Sequence, residues 1–518
     1  MGRRRVCEVV CKSVEGVAYR SGKKLVLEEV GGKHAVDRKG YLRCEVCTTC
    51  YLVNLPFPKG VLKCSECGNE WDAGSSVALR IKERRDVQTK KDLFERSKAG
   101  EGKASRSGKH VVGEHLNCSH FAKCSGCSIE SKFTTTPALK SAQRFAMNKL
   151  KLETVPIVIG DIHGWRTTAR LAVRKAGRKL AFGLYEKGTH NVVEIPKCVV
   201  HYPQVNIVLA AIKDAAEKMR VEPYDERTRS GMLRYVHLLV ERTTGLVSVT
   251  LVWNASTVKQ SNPGAGRVVK ELWMRRQELK LHSIWLNLNV SSGNTVLAAE
   301  PNRWKLIRGE RMLRETVLDA TVFFLPSAFR QANLSAFERL LESLVKFVPD
   351  DSRVVEFCAG VGAIGLAIAS RRRLRTLLCT ELNKLSEDAF QQSWAKLPND
   401  VADVTSFEVG TAAALRDRLL DCDIAIADPP RQGLDFQFLE LLCAPGKPNP
   451  SRFIYVSCGQ EAFQKDAERL LLGGWTAVHA EAHLFFPGSN HVEMLAVFDR
   501  VPSQNVGGYI PNRTAHSH

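Results

Sequence analysis

The sequence predicts an α/β protein: a doubly wound, mostly parallel sheet in its C-terminal part, preceded by an antiparallel-rich α+β domain and a small N-terminal ribbon. Three observations predict this order. After about residue 330, short apolar strands such as RVVEFCAG, RTLLCTEL, DIAIADPP and RFIYVSCG alternate with helical stretches, the pattern of parallel strands joined by crossover helices. Between 114 and about 325 the sequence instead offers strand-like segments separated by turn residues, such as HSIWLNLNV and MLRYVHLLVERTTGLVSVTLVW. Residues 41–72 crowd five cysteines into a segment with too few large apolar residues to fold around a core.

Composition narrows the class. The 518 residues are 44% hydrophobic and 25% charged, which excludes disordered and fibrous chains and predicts several domains. No apolar run approaches the length of a membrane helix. The first residues lack the apolar segment of a secretion signal, and Glu8 and Glu15 argue against an organelle transit peptide. Of the 16 cysteines, Cys44, Cys47, Cys50, Cys64 and Cys67 crowd one short stretch and Cys118, Cys124 and Cys127 another, spacings too tight for efficient disulfides that suit metals, so a reducing compartment is expected, cytoplasm or nucleus rather than an organelle. Lys and Arg number 75 against 55 Asp and Glu, a net charge of +20. Roughly half of that excess falls in the first 110 residues, which predicts a polyanionic partner.

In chain order, residues 1–74 form the ribbon region. LRCEVCTT and LKCSECGN are near-copies that each place a C-x2-C turn after strand-like residues, so Cys44, Cys47, Cys64 and Cys67 are expected to hold Zn2+ in a zinc ribbon, with Cys50 an alternative to one of the first pair. Residues 75–113 are a basic linker, 114–325 the central α+β domain, 326–503 the α/β domain and 504–518 a loose polar tail. FTTTPALKSAQRFAMNKL in the central domain reads as an amphipathic helix. Arg and Lys recur on alternate strand positions there, as on a sheet with one wet basic face.

In an open parallel sheet the chemistry sits where strands end. The first strand runs into Gly360-x-Gly362-x-x-Gly365, a loop whose missing side chains let a ligand approach the backbone. The second ends in Glu381, placed to accept hydrogen bonds from ribose hydroxyls, and the third in Asp428-Pro429-Pro430-Arg431, a turn stiffened by its prolines. Dinucleotides and S-adenosylmethionine both fit such a loop. The fourth strand delivers Cys458 just before a helix, where the helix end is expected to favour the thiolate. Glu493 stands at the mouth of the last strand. A nucleophilic thiol beside a carboxylate is what methylation of pyrimidine carbon 5 requires: the thiolate adds at carbon 6 to make carbon 5 nucleophilic, and a base later removes the carbon 5 proton.

With these motifs the chain resembles the S-adenosylmethionine-dependent RNA uracil-5 methyltransferases, from about Cys118 to Arg500, which leaves the ribbon uncovered. Phe329-Arg330-Gln331-Ala332-Asn333 looks like the family's Phe-x-Gln-x-Asn segment. The resemblance implies that Gln331, Phe357, Gly360, Gly362, Glu381 and Asp428 bind the cofactor, that Cys458 is the nucleophile and that Glu493 is the base. The chain departs from the family where Gly459-Gln460 replaces Asn-Pro, Asn490 replaces Thr, and Arg330 interrupts an aromatic pair. Cys118-x5-Cys124-x2-Cys127 with distant Cys198 suits zinc or a 4Fe–4S cluster by spacing, and the resemblance implies iron–sulfur in a structural role.

The implied partner is transfer or ribosomal RNA, bound by a protein acting as a monomer with no membrane attachment. A stacked uridine hides carbons 5 and 6, so the target must lie in a loop or be flipped out. Arg166, Arg170 and Arg234 are candidate phosphate contacts. Two other readings compete: an RNA-folding or ribosome-assembly factor that keeps the fold with weak catalysis, and a dinucleotide-dependent oxidoreductase. The first has no use for both a nucleophile and a base, and the second leaves Asp428-Pro429-Pro430 and Cys458 unexplained.

Overall fold

The computed structural model describes residues 115–500 except 178, 262–263, 294 and 445–449, together with the backbone of seven short strands between Val9 and Asp72. The chain divides into two compact units, Met1–Lys109 and His110–His518. The thiols of Cys44, Cys47, Cys50, Cys64 and Cys67, the basic linker and the tail beyond Arg500 lie outside the described residues.

Within the second unit, helix α1 (Pro137–Asn148) and strand β1 (Ile157–Ile159) precede a seven-stranded sheet. That sheet is built from β2 (Thr168–Ala176), β3 (Lys179–Tyr185), β4 (Val192–Glu194), β5 (Leu233–Val240), β6 (Val247–Trp253), β7 (Leu281–Leu288) and β8 (Trp304–Gly309), in the order β4-β3-β2-β5-β6-β7-β8. Neighbours are antiparallel except β6 and β7, whose parallel register needs a crossover helix between them. Helices α2 (Pro203–Lys218) and α3 (Gly264–Met274) supply apolar faces that pack with Val236, Leu238, Val249 and Leu251 in one core.

The expected wet basic face is not found at the centre of this sheet. All seven residues of β6 are buried, and Arg234 on β5 is 2% exposed, its guanidinium donating to the carbonyls of Asn289 and Ser291 at 2.9 and 2.7 Å. Alternation of charge with apolar residues misled here because a buried arginine bonded to backbone carbonyls has the same sequence signature as a solvated one.

A hairpin, β9 (Leu313–Val317) and β10 (Ala320–Phe324), leads into α4 (Leu334–Leu344) and the second sheet. Its strands are β11 (Arg353–Phe357), β12 (Thr376–Glu381), β13 (Thr405–Val409), β14 (Ile424–Ala427), β15 (Arg452–Ser457), β16 (Trp475–Leu484) and β17 (Glu493–Arg500). The order is β13-β12-β11-β14-β15-β17-β16-β1, with β11 to β15 mutually parallel and β17 antiparallel to both neighbours. Helices α5 (Ala363–Ala369), α6 (Leu385–Trp394), α7 (Phe436–Leu442) and α8 (Gln460–Leu472) are the crossovers. This is the doubly wound domain expected from sequence. The strand order reverses between β11 and β14, and the crevice above that reversal is where such sheets hold ligands.

One boundary moves. Much of 116–165, expected in the central domain, packs on the second sheet: β1 pairs with β16, and Leu116, Phe133, Leu139 and Trp165 share a core with Phe438, Phe453 and Phe498, while Cys124 stays in the core of the seven-stranded sheet and bridges to Glu186.

Candidate active site

Strand β11 is apolar except for Glu356, and the loop after it turns through positive φ at Cys358, Gly360 and Gly362 (58°, 58° and 79°) before α5 begins. Gly365 is glycine for a packing reason. A Cβ there would stand 2.7 Å from both Cys379 Sγ and Glu356 Oε2. Its N–H donates to Glu356 Oε2 at 2.8 Å, so a buried carboxyl anchors the loop from beneath, and burial pushes that acid up to about 8. Glu381, at the end of β12, accepts from the Gly360 and Asn383 N–H groups, each at 2.9 Å. Phe357 is fully buried with its ring edge-on to Phe438 at 4.7 Å, so its side chain is core and only its backbone reaches the loop.

The segment before α4 is fixed on either side of Gln331. Ala332 accepts from the Thr167 N–H and hydroxyl, and Asn333 caps α4 by accepting from Ala336 N while donating to the Phe485 carbonyl at 2.8 Å. Arg330 is 5% exposed, donates to the Val240 carbonyl at 2.7 Å and stands 3.6 Å from Glu315. Gln331 itself is half-buried, and its side chain bonds to none of the described residues.

Asp428 follows β14, and Cys458 follows the adjacent β15. Because β17 runs back along β15 with Met494 opposite Ser457, Glu493 arrives at the same sheet end as Cys458. The three groups sense one another. Burial pushes the Glu493 carboxyl up to about 8, Asp428 adding to the rise and Arg431 opposing it. Asp428 itself rises to about 7 through burial. The thiol of Cys458 is pushed up to about 11 by burial and by the Glu493 and Asp428 carboxylates, against Arg431. This runs against the expectation of a thiolate favoured by the helix end: burial and the two neighbouring acids hold the proton on the Cys458 sulfur.

The turn carrying Asp428 is held from behind. Asp466 on α8 accepts from the Leu434 N–H at 2.9 Å and the Tyr455 hydroxyl at 2.7 Å, and Gly433, at φ 87°, leaves room for its carboxylate. Gly459 permits close approach too: a Cβ there would sit 2.4 Å from the Arg431 carbonyl oxygen. Glu356, Arg431 and Asp466 are thus part of the site but escaped assignment from sequence. Glu356 and Arg431 adjoin motif residues, whereas nothing in sequence marks Asp466.

A second constellation lies where β2 meets the loops before α1 and α2. Cys118, Cys124, Cys127 and Cys198 line one cavity of about 300 Å³, along with Arg166 and Arg170. Burial and the other three cysteines push Cys127 up to about 11. Among the described residues no three His, Cys, Asp or Glu side chains gather closely enough to hold a single metal ion. Arg166 lies over the rings of Trp165 and Phe486 beside this cavity rather than on an open face, which removes it, like Arg234, from the accessible phosphate contacts; Arg170 remains exposed. The cysteine loop is tied to the approach to Glu493: Ser128 and Ile129 donate to the Gly488 carbonyl at 2.7 and 2.9 Å.

No protein-family model matches the chain. An uncharacterized RNA methyltransferase of Protochlamydia amoebophila is 35% identical over 387 residues, covering 74% of this chain and 98% of the relative. The chain belongs to this family of RNA methyltransferases. A second uncharacterized RNA methyltransferase, from Nostoc, is 28% identical over 392 residues, covering 72% of this chain and 80% of its own. Among solved structures, the Pyrococcus abyssi tRNA (uracil-54, C5)-methyltransferase in complex with S-adenosyl-L-homocysteine shares the fold of this RNA methyltransferase. Its TM-score is 0.58 at 21% identity, over 77% of this chain and 89% of that one.

Proposed function

We propose that this RNA methyltransferase transfers a methyl group from S-adenosylmethionine to carbon 5 of a uridine in transfer or ribosomal RNA. The observation that carries the reading is the meeting of Cys458 and Glu493 at one sheet end, close enough for the Glu493 carboxylate to strengthen the thiol's hold on its proton. The likeness of the fold to a tRNA uracil-C5 methyltransferase supports it. Cys458 adds to carbon 6 of the uracil as its thiolate, the small fraction that has lost its proton to solvent, and the electron pair displaced from the carbon 5–carbon 6 double bond makes carbon 5 nucleophilic. S-adenosylmethionine, when bound, supplies the electrophilic methyl group. Glu493 then takes the carbon 5 proton, the ring double bond re-forms and the Cys458 thiolate leaves.

The site fits such a cofactor. Gly360 and Gly362 expose backbone, Glu381 offers a carboxylate to ribose hydroxyls, and Gln331 has an uncommitted amide. Asp428 stands at the same sheet end, and the Phe357 backbone closes the loop. We also assign a 4Fe–4S cluster to Cys118, Cys124, Cys127 and Cys198. Their placement around one cavity of about 300 Å³ supports the reading, and the cluster's role is to hold the loop before Glu493. Arg170 and the N-terminal basic region contact the RNA, and Cys44, Cys47, Cys64 and Cys67 hold zinc.

The test is trapping. RNA containing 5-fluorouridine, incubated with the protein and S-adenosylmethionine, forms a stable covalent adduct because fluorine is not abstracted; Cys458→Ala forms none. An undiminished adduct in that variant sinks the mechanism. Anaerobically purified protein absorbs broadly near ~400 nm if the cluster is iron–sulfur; a colourless protein whose four thiols hold zinc sinks that assignment.

A further inference from the structure

The amide of Gln331 is uncommitted, yet the chain on either side of it is tied down by one buried residue. Thr167 directly precedes β2 and is fully buried. Its N–H and hydroxyl both donate to the Ala332 carbonyl, at 2.9 and 3.0 Å, and its own carbonyl accepts from Arg330 Nη2 at 3.2 Å. The same Nη2 donates at 2.7 Å to the carbonyl of Val240, the last residue of β5, and the Val240 N–H donates to the Thr167 carbonyl at 2.9 Å. Residues 330 and 332 are therefore held at one point of the seven-stranded sheet, and Gln331 is the single link between the two ties. A link of one residue between two fixed neighbours keeps little backbone freedom, so the entropy of placing Gln331 is lost on folding and not on binding.

The tie at position 330 is made by a residue type that packing alone does not favour. Arg330 is 5% exposed, and its guanidinium carbon lies 5.7 Å from the Phe324 ring. Its counter-charge stands 3.6 Å away on Glu315, a carboxylate already bonded to Arg242 Nε at 3.3 Å. Arg330 Nε and Nη1 make no hydrogen bond among the described residues. A buried charge with donors left over lowers stability relative to a well-packed apolar group. What the guanidinium supplies, and an apolar side chain does not, is the pair of bonds to Thr167 and Val240. Departures from packing rules are expected at functional sites, and this one adjoins the half-buried Gln331.

We propose that Arg330 is a positioning residue for the methyl donor: it staples the 330–332 segment to the seven-stranded sheet so that the Gln331 amide is held in place for the cofactor. Arg330 acts through Gln331 and adds no step to the chemistry above. The Thr167 bonds to Ala332 serve the same end from the other side. The inference rests on Gln331 binding S-adenosylmethionine.

A double-mutant cycle separates the two ideas. Binding of S-adenosyl-L-homocysteine to the full-length protein is measured by titration calorimetry for wild type, Arg330→Met, Gln331→Ala and the double variant. Arg330→Met keeps the bulk and removes the donors, and its Kd rises about tenfold. Arg330→Lys, which keeps a donor, recovers part of that loss. The double variant binds no more weakly than Gln331→Ala alone, the non-additivity of two residues that serve one contact. An unchanged Kd in Arg330→Met, or losses that multiply in the double variant, overturns the inference and leaves Gln331 as a cofactor contact. An unchanged Kd in Gln331→Ala overturns instead the assignment of Gln331 to the cofactor. If Arg330→Met does not fold, Thr167→Val, which removes only the hydroxyl bond to Ala332, decides by the same cycle: its Kd rises about threefold alone and not at all beside Gln331→Ala.

Discussion

At the scale of single residues, proton affinities in the site are set by burial and neighbouring charge more than by helix ends. On the proposed mechanism Glu493 must be ionised to take the carbon 5 proton, yet its carboxyl is pushed up to about 8. The expected outcome is a kcat/KM that rises about tenfold per pH unit below that value, since kcat/KM reports the free enzyme. A pH–rate profile flat from 6 to 8 contradicts it. Glu356 carries the same shift into stability. Its folded value of about 8 lies above the ordinary 4.5, so the folded state holds the proton more tightly than the unfolded one. The resulting stabilisation is fully present below about 4.5 and is lost as the pH rises to about 8. Glu356→Gln removes this slope and gains on the order of a few kcal/mol at pH 8.5 relative to wild type, read as a shift in Tm. At Gly459, the 2.4 Å approach to the Arg431 carbonyl means that Gly459→Ala must push the Asp428–Gly433 turn away. Adduct formation with 5-fluorouridine RNA should then fall at least tenfold, with a stability loss of about 1–3 kcal/mol by urea denaturation.

At the scale of elements, short polar contacts aim the strand ends. Helix α4 is the clearest case, because one buried side chain, Asn333, both caps it and ties it to the Phe485 carbonyl beneath the loop that leads to Glu493. Asn333→Ala uncaps the helix and orphans that carbonyl, which costs about 1–3 kcal/mol. The loss should appear as a lower urea midpoint with an unchanged m-value. Asn490, in the same loop, accepts from Ala138 N at the start of α1, so this departure from the family's threonine still serves a capping contact. Alternation of apolar strands with helices made β11, β12, β14 and β15 legible in the sequence, since a strand buried on both faces reads as an unbroken apolar run, whereas the edge strand β13 (Thr405–Val409), largely open to solvent, carries no such run and went unread. β1 was not legible. Three residues, Ile157–Ile159, become a strand only because the edge of β16 is there to receive them.

At the scale of the whole molecule, one buried ionic network joins the seven-stranded sheet to the second sheet's domain. Arg242, just beyond β5, reaches Glu338 on α4 at 2.7 Å, the Thr316 carbonyl on β9 at 2.7 Å and Glu315 at 3.3 Å, and Arg330 completes the ring around the unexposed Glu315. Removing one member leaves charge buried without its partner. Arg242→Ala should cost on the order of 3 kcal/mol and split one thermal transition into two, measured by calorimetry; a single transition at the wild-type temperature refutes the coupling.

Sequence by itself determined the doubly wound sheet and which strand ends carry most of the candidate site residues, because glycine loops, the Asp-Pro-Pro turn and strand-end positions are local and carry their geometry with them. Only the tertiary structure decided which charges face water and which groups meet. It turned Arg234 and Arg166 inward, raised the proton affinity of Cys458, and packed Leu116, Phe133, Leu139 and Trp165 into the core of the second sheet. Burial and through-space charge depend on the partners a residue finds across the fold, and a linear sequence does not record them.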